Sequence, residues 1–197
     1  MGNRTRQVPL ESFDGAPRVT DRLFLAVVPD AHTAARIEGF TQRLRAEHGL
    51  KGKSLGVERF HVTLHFVGDF AGPRPDIVDA VREVAASVAG PPFPVALDRV
   101  ASFSKRARNA PLVLLGGDRL LALTSFQQAL ENAMTRAGLG RAAGQGYTPH
   151  LTLLYDGLQL AEQVIEPIHW IAREFLFVRS LMGKNQHLPL ARFPLRG

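Results

Sequence analysis

The chain has 197 residues, 45% of them hydrophobic and 21% charged, with a formal net charge of +6 and no cysteine. That size fits one domain, or two small lobes sharing a core, and it suffices to bury a core without covalent staples. The missing cysteines exclude disulfides, thiolate metal sites and a cysteine nucleophile, which suits a reducing compartment. No apolar run approaches the roughly 20 residues of a membrane-spanning helix.

The N-terminal stretch "MGNRTRQVPLESFDGAPRVTD" lacks the apolar core of a secretory signal. It begins Met-Gly, but Arg6 stands where myristoylation requires Ser or Thr. Residues 1–20 are expected to be a poorly ordered tail, residues 21–197 a single domain, and the protein cytoplasmic. The basic balance favours polyanionic partners such as RNA, although +6 is also an ordinary solubility charge.

"RLFLAVVPD" (Arg22 to Asp30) reads as a strand closed by a turn. "AHTAARIEGFTQRLRAEHG" follows as a helix, with Ile37, Phe40 and Leu44 at helical spacing and Gly49 at its end. "KGKSLGVERF" reads as a loop, and "FHVTLHFVG" as a strand. "PRPDIVDAVREVAASVAG" places Ile77, Val81, Val84 and Val88 on one face of a second helix. "FPVALDRVASF" is a strand running into the basic loop "SKRARN", and "PLVLLGG" is another strand.

"LLALTSFQQALENAMTRAGLG" makes a third helix, with Leu123, Phe126, Leu130 and Met134 inward. The glycine-rich "RAAGQGYTP" leads into the strand "HLTLLYDG". "IHWIAREFLFVRSLMG" reads as one strand centred on Phe175 to Ser180, and "LPLARFPLRG" closes the chain. No tandem repeat appears, but each half carries one His-x-Thr-Leu strand. This suggests two similar lobes, each giving one motif to a shared cleft.

Side chains on a strand alternate between faces. In "HVTLHF", His61, Thr63 and His65 then share one face, while Val62, Leu64 and Phe66 share the other. In "HLTLL", His150 and Thr152 share a face. Histidine exchanges protons near neutral pH, and threonine donates to a phosphate oxygen. Two such strands facing each other place an acid and a base on opposite sides of one phosphorus, as in-line displacement requires. A single histidine on a strand is more often a surface or satisfied residue; the second copy is what favours a paired site.

Other chemistries lack their signatures. There is no His-Glu-x-x-His, no Gly-x-Ser-x-Gly and no Walker-type loop. His61 and His65 would stand about 13 Å apart on a strand, too far to share a metal. Asp69 and Asp156 flank glycines and read as turn residues.

With both motifs in hand, the sequence resembles the two-histidine phosphoesterases, specifically the RNA 2′,3′-cyclic phosphodiesterases of the 2′-5′ RNA ligase family. The likeness runs from "RLFLAVVPD" through "ERFHVTLHFVGD" and "YTPHLTLL" to "LPLARFPL". It implies a bilobal α+β fold: two pseudo-symmetric lobes with antiparallel sheets around a central cleft. It implies hydrolysis of a terminal RNA 2′,3′-cyclic phosphate to a 2′-phosphate and the reverse 2′-5′ ligation; no metal or other cofactor is expected, and the protein is expected to act as a monomer with no membrane partner. It implies that His61 is the proton donor, His150 the acceptor, and that Thr63 and Thr152 hold phosphate oxygens.

Many members of that family carry an arginine where this chain has Tyr155. Strict alternation would turn Tyr155 away from His150 unless the strand bends. Lys53, Arg59, Lys105, Arg106 and Arg108 are candidate replacements for the charge, each also explicable as solvated surface. His65 is expected either in the cleft against RNA or in solvent. Phe24 is expected in the core, with base stacking the alternative role. His32, His48, His169 and His187 receive no function. The competing readings are a phosphodiesterase for a small cyclic phosphate and a non-catalytic module that binds a nucleotide or RNA.

Overall fold

The computed structural model describes residues 18–103, 109–140 and 146–197. Residues 1–17 of the expected tail, the cations Lys105, Arg106 and Arg108, and residues 141–145 of the glycine-rich approach lie outside the described residues. In chain order the elements are β1 (Asp21–Val27), α1 (Ala31–His48), β2 (Val62–Phe70), α2 (Pro75–Ala86), β3 (Phe93–Ser102) and β4 (Ala110–Leu115). Then come α3 (Leu121–Arg136), β5 (His150–Asp156), β6 (Gln163–Ala172), β7 (Glu174–Leu181) and β8 (Gln186–Pro194).

Local chemistry sets the helix ends. Asp30 caps α1 by accepting from the Thr33 backbone N–H at 2.8 Å, and Gly49 ends it in the left-handed region at φ 67°. Pro75 opens α2, where its missing N–H costs nothing. Of the inward faces read from the sequence, Ile37 and Leu44 on α1, Val81 on α2, and Leu123, Phe126, Leu130 and Met134 on α3 are buried, whereas Phe40, Ile77, Val84 and Val88, the last beyond the end of α2, pack against the core partly exposed.

The eight strands form one antiparallel sheet in the order β6-β3-β4-β5-β2-β1-β7-β8. Two sheets around a cleft were expected; here two four-stranded halves are continuous. The join between them is slender, a single register pair, Val62 of β2 with Leu151 of β5. The lobes are therefore not the two halves of the sequence. β1 and β2 are completed by the C-terminal β7 and β8, whereas β4 and β5 are completed by β3 and β6. The units β1-α1-β2 and β4-α3-β5 correspond, each with its motif strand at the seam.

One face of the sheet carries all three helices over a continuous apolar core. On the strands, the residues between those of that core form two small clusters, Phe24, Ala26, Leu176 and Val178 in one lobe and Ala101, Val113 and Leu115 in the other.

The C-terminal third departs from the sequence reading. "IHWIAREFLFVRSLMG" divides at Arg173 between β6 and β7, and the closing segment is strand β8. β6 and β8 are the two edge strands and contain Pro167, Pro189 and Pro194. An edge strand tolerates the missing N–H that made these segments poor strand candidates.

Candidate active site

A cleft of about 370 Å³ contains both motifs: His61, Thr63, His150 and Thr152 all line it. The Val62–Leu151 pair explains how. Antiparallel register continued by one residue in each direction sets His61 beside Thr152 and Thr63 beside His150. The two histidines then occupy diagonal corners of a square, where side-chain origins are about 7–8 Å apart.

Both rings are oriented the same way. Nδ1 of His61 donates to the Arg59 carbonyl at 2.7 Å, and Nδ1 of His150 donates to the Thr148 carbonyl at 2.8 Å. A carbonyl only accepts, so each Nδ1 carries the hydrogen and each Nε2 is left for chemistry. Each ring also lies against a phenylalanine. Phe24 stacks on His61 at 4.8 Å between centroids, and Phe103 lies on His150 at 4.5 Å. Phe24 is thus buried, as expected, but beneath the histidine rather than in the helix-covered core.

The two motif strands break their alternation at matching places. Leu25 pairs with His65 and Ala26 with Thr63, so Leu64 is skipped. Leu112 pairs with Leu154 and Val113 with Thr152, so Leu153 is skipped. Each skip is a bulge that moves the following residues to the opposite faces. Leu64 and His65 are both buried, as are Leu153 and Leu154. Phe66 and Tyr155 emerge into the cleft at equivalent positions.

These bulges correct two expectations. His65 is in neither the cleft nor solvent. It is 3% exposed, and its Nε2 donates to the Leu139 carbonyl at 2.8 Å. Burial holds its pKa below the usual histidine value. Tyr155, expected to turn away from His150 unless the strand bends, does line the cleft.

Neither aspartate is simply a turn residue. Asp69 receives a bidentate pair from Arg22, at 2.7 and 2.9 Å, and this pair holds the Asp69 carboxyl below its usual range. Asp156 does accept from the Leu158 N–H of the following turn at 2.8 Å. It also accepts from the N–H groups of Lys51 and Gly52, tying the loop after α1 to the end of β5. A side chain at Gly52 would meet the Tyr155 carbonyl, so this close approach requires glycine.

Several cleft residues had no signal in the sequence. His187, on β8, sits with its ring 5.2 Å from that of His61 and 5.4 Å from Phe24. Arg22 lines the cleft with its guanidinium 5.6 Å from the Phe66 centroid. Ser180 and Asn185 come from β7 and the turn that follows it. Of the expected cations, Arg59 lines this cleft and Lys53 lines a groove beside it. Among the described residues no carboxylate lines the cleft, and no group of three His, Asp or Glu is arranged to hold a metal.

Burial acts on two rings of the cleft, His61 and His187. Burial lowers the His61 pKa to about 4, and the nearby His150 and Arg59 charges act in the same direction, while the Arg59 carbonyl opposes them. Burial also lowers His187 to about 4, reinforced by His61 and Arg59. Both rings are therefore neutral at pH 7 when the cleft holds no anion.

The geometry agrees with known proteins at the level of fold and family. Structures of Escherichia coli LigT match with a TM-score of 0.66 and 24% identity for its complex with 3′-AMP, covering 91% of this chain and 100% of LigT. The protein TT0787 of Thermus thermophilus matches with a TM-score of 0.68 and 19% identity, covering 89% of this chain and 98% of that one. A crystal structure described as a phosphoesterase matches with a TM-score of 0.69 and 21% identity, covering 90% and 99%. No curated protein sequence matches. The family model of the 2′-5′ RNA ligase superfamily matches residues 12–183, nearly the whole described fold and both His-x-Thr strands. The chain belongs to the 2′-5′ RNA ligase superfamily.

Proposed function

We propose that this protein hydrolyses a terminal RNA 2′,3′-cyclic phosphate to a 2′-phosphate, with His61 and His150 as the proton-transfer pair. The carrying observation is the square of two histidines and two threonines about Val62–Leu151, with both Nδ1 atoms committed to backbone carbonyls. Each Nε2 then faces a cleft that has cations and no carboxylate among its described residues. E. coli LigT, which shares the fold, has been crystallised with 3′-AMP and with phosphate. A nucleotide phosphate therefore suits a cleft of this architecture.

In this reading the phosphorus sits between the two imidazoles. Nε2 of His150 takes a proton from water, and the water oxygen bonds to phosphorus. The bond from phosphorus to the 3′ oxygen breaks. Nε2 of His61 gives that oxygen a proton, leaving the 2′-phosphate and a free 3′ hydroxyl. Thr63 and Thr152 donate to the non-bridging oxygens, where negative charge grows. Arg59 supplies the positive charge that the family arginine would give, since Arg22 is paired with Asp69; Tyr155 supplies a hydroxyl and a ring face instead. The reverse sequence joins a 2′,3′-cyclic phosphate end to a 5′ hydroxyl through a 2′-5′ bond.

His61 must be charged to donate, yet it is neutral in the free cleft. An anionic phosphate beside it favours the imidazolium. The proton therefore enters with the substrate. Incubation with adenosine 2′,3′-cyclic phosphate in the presence of EDTA tests the proposal, the expected product being 2′-AMP. Formation of 3′-AMP, or loss of turnover on adding EDTA, would overturn it. Tight binding without turnover would identify a nucleotide-binding module, the reading that the tyrosine at the family's arginine position favours.

A further inference from the structure

A second groove, about 740 Å³, opens beside the cleft and shares Leu55, Arg59, Tyr155 and Asn185 with it. Its remaining wall comes from α1 and the loop after it. Three cations line it: Arg45, Lys53 and Arg59. Among the described residues none of the three forms an ion pair. Nε of Arg45, Nε of Arg59 and Oγ of Ser54 are shut from solvent and lack a hydrogen-bond partner. Those three atoms are closed to a ligand as they are to water, so the hold on an anion falls to the charged ends of the three side chains, of which Arg59 Nη1 also donates to Asn185 Oδ1 at 3.4 Å.

The groove is also held in place. The Leu55 N–H donates to the Leu153 carbonyl at 2.9 Å, and Ser54 bridges to Leu154. Asp156 holds the N–H groups of Lys51 and Gly52. The cationic wall is thus tied to β5, the strand that carries His150 and Thr152. Two carboxylates, Glu38 and Glu58, also line the groove and reduce its surplus to one positive charge. That balance suits one phosphodiester better than a long anionic track.

We propose that this groove is a second anion subsite, which takes the internucleotide phosphate on the 5′ side of the terminal nucleotide while the cleft holds the end phosphate. Arg59, present in both walls, stands at the junction. The inference rests on the cleft being the end-phosphate site. It makes the preferred ligand an oligonucleotide of at least two residues rather than a free cyclic mononucleotide.

Product-like ligands test it without requiring turnover. Calorimetry would compare 2′-AMP with the dinucleotide ApA carrying a 2′-phosphate. The dinucleotide should bind about tenfold tighter at low salt, with a salt slope steeper by about 0.7 for one added contact on a single strand. Arg45→Met and Lys53→Met should each reduce that ratio, and the double variant should bring it near one. Circular dichroism melting would confirm that the variants fold. Equal affinities of the wild type for both ligands would overturn the subsite, as would a preference that survives the double substitution. Failure to turn over cyclic phosphate with the dinucleotide preference intact would instead overturn the proposed chemistry and leave the subsite standing.

Discussion

Val62 and Leu151 form the register pair that joins the two halves of the sheet, and every candidate catalytic side chain is next to one of them. His61 and Thr63 flank Val62; His150 and Thr152 flank Leu151. The apolar pair is buried beneath, 0% exposed on both sides, so the four polar side chains are raised together over a rigid floor.

The two histidines should behave as one unit. His61→Ala and His150→Ala should each reduce hydrolysis of a 2′,3′-cyclic end by about a hundredfold to ten-thousandfold, the range for a positioned proton-transfer group. The double variant should be little worse than either single one, because removing one partner already disables the other. Single-turnover assays would check this. A double variant retaining most of the activity would remove the pair from the mechanism.

Thr63→Val and Thr152→Val keep the branched shape and delete the donor. Each should cost about tenfold to a thousandfold in kcat, the upper end matching loss of one oxyanion donor. The melting temperature should change little, since these strands are paired to their neighbours through the backbone, which the substitution leaves alone. Wild-type kcat in both would assign the threonines to the strand alone.

Ligand binding should take up a proton. His61 is lowered to about 4 in the free protein, and a phosphate anion raises it. Between those two values the complex binds a proton that the free protein lacks, so affinity for 2′-AMP should fall as pH rises through neutrality, beyond what ligand ionisation explains. Calorimetry in buffers of different ionisation enthalpy measures the uptake directly. Zero uptake in wild type, or the same uptake in His61→Ala, would contradict the assignment.

His65 should matter to stability and not to chemistry. His65→Leu leaves the buried Leu139 carbonyl without its donor, at a cost of about 1–3 kcal/mol. Gly140→Ala should destabilise for a related reason: Gly140 sits at φ 87°, and an added Cβ would lie 2.5 Å from the His65 Nε2 and from the Phe66 carbonyl. Denaturant titration would show both losses, while turnover per folded molecule stays within a few fold. A large activity loss in stably folded His65→Leu would move this histidine into the mechanism.

Acid should destabilise the fold through three rings, His65 buried and His61 and His187 partly buried. His61, His65 and His187 all have pKa values lowered by burial. Below the unfolded value of about 6.5 the unfolded chain binds protons that the native rings refuse, so stability falls from there towards pH 4. Melting temperatures measured across that window should drop, and His187→Phe should flatten the decline. An unchanged slope in that variant would show that His187 is not part of the acid response.

Local patterns were legible where chemistry is local. Helix faces, the end of α1 at Gly49, and the two His-x-Thr-Leu strands follow from spacing and residue type alone. The same patterns carried the family and its α+β class. The bulges at Leu64 and Leu153 left no trace in the sequence, because a skipped residue is defined by what the neighbouring strand pairs with. They alone decide that His65 is buried and that Tyr155 enters the cleft. Likewise nothing near His187 or Arg22 marks a site. His187 comes to 5.2 Å from His61 although β8 lies three strands from β2 in the sheet order. Such contacts depend on strand order and register, and those are fixed by the packing of the whole sheet rather than by any one stretch of chain.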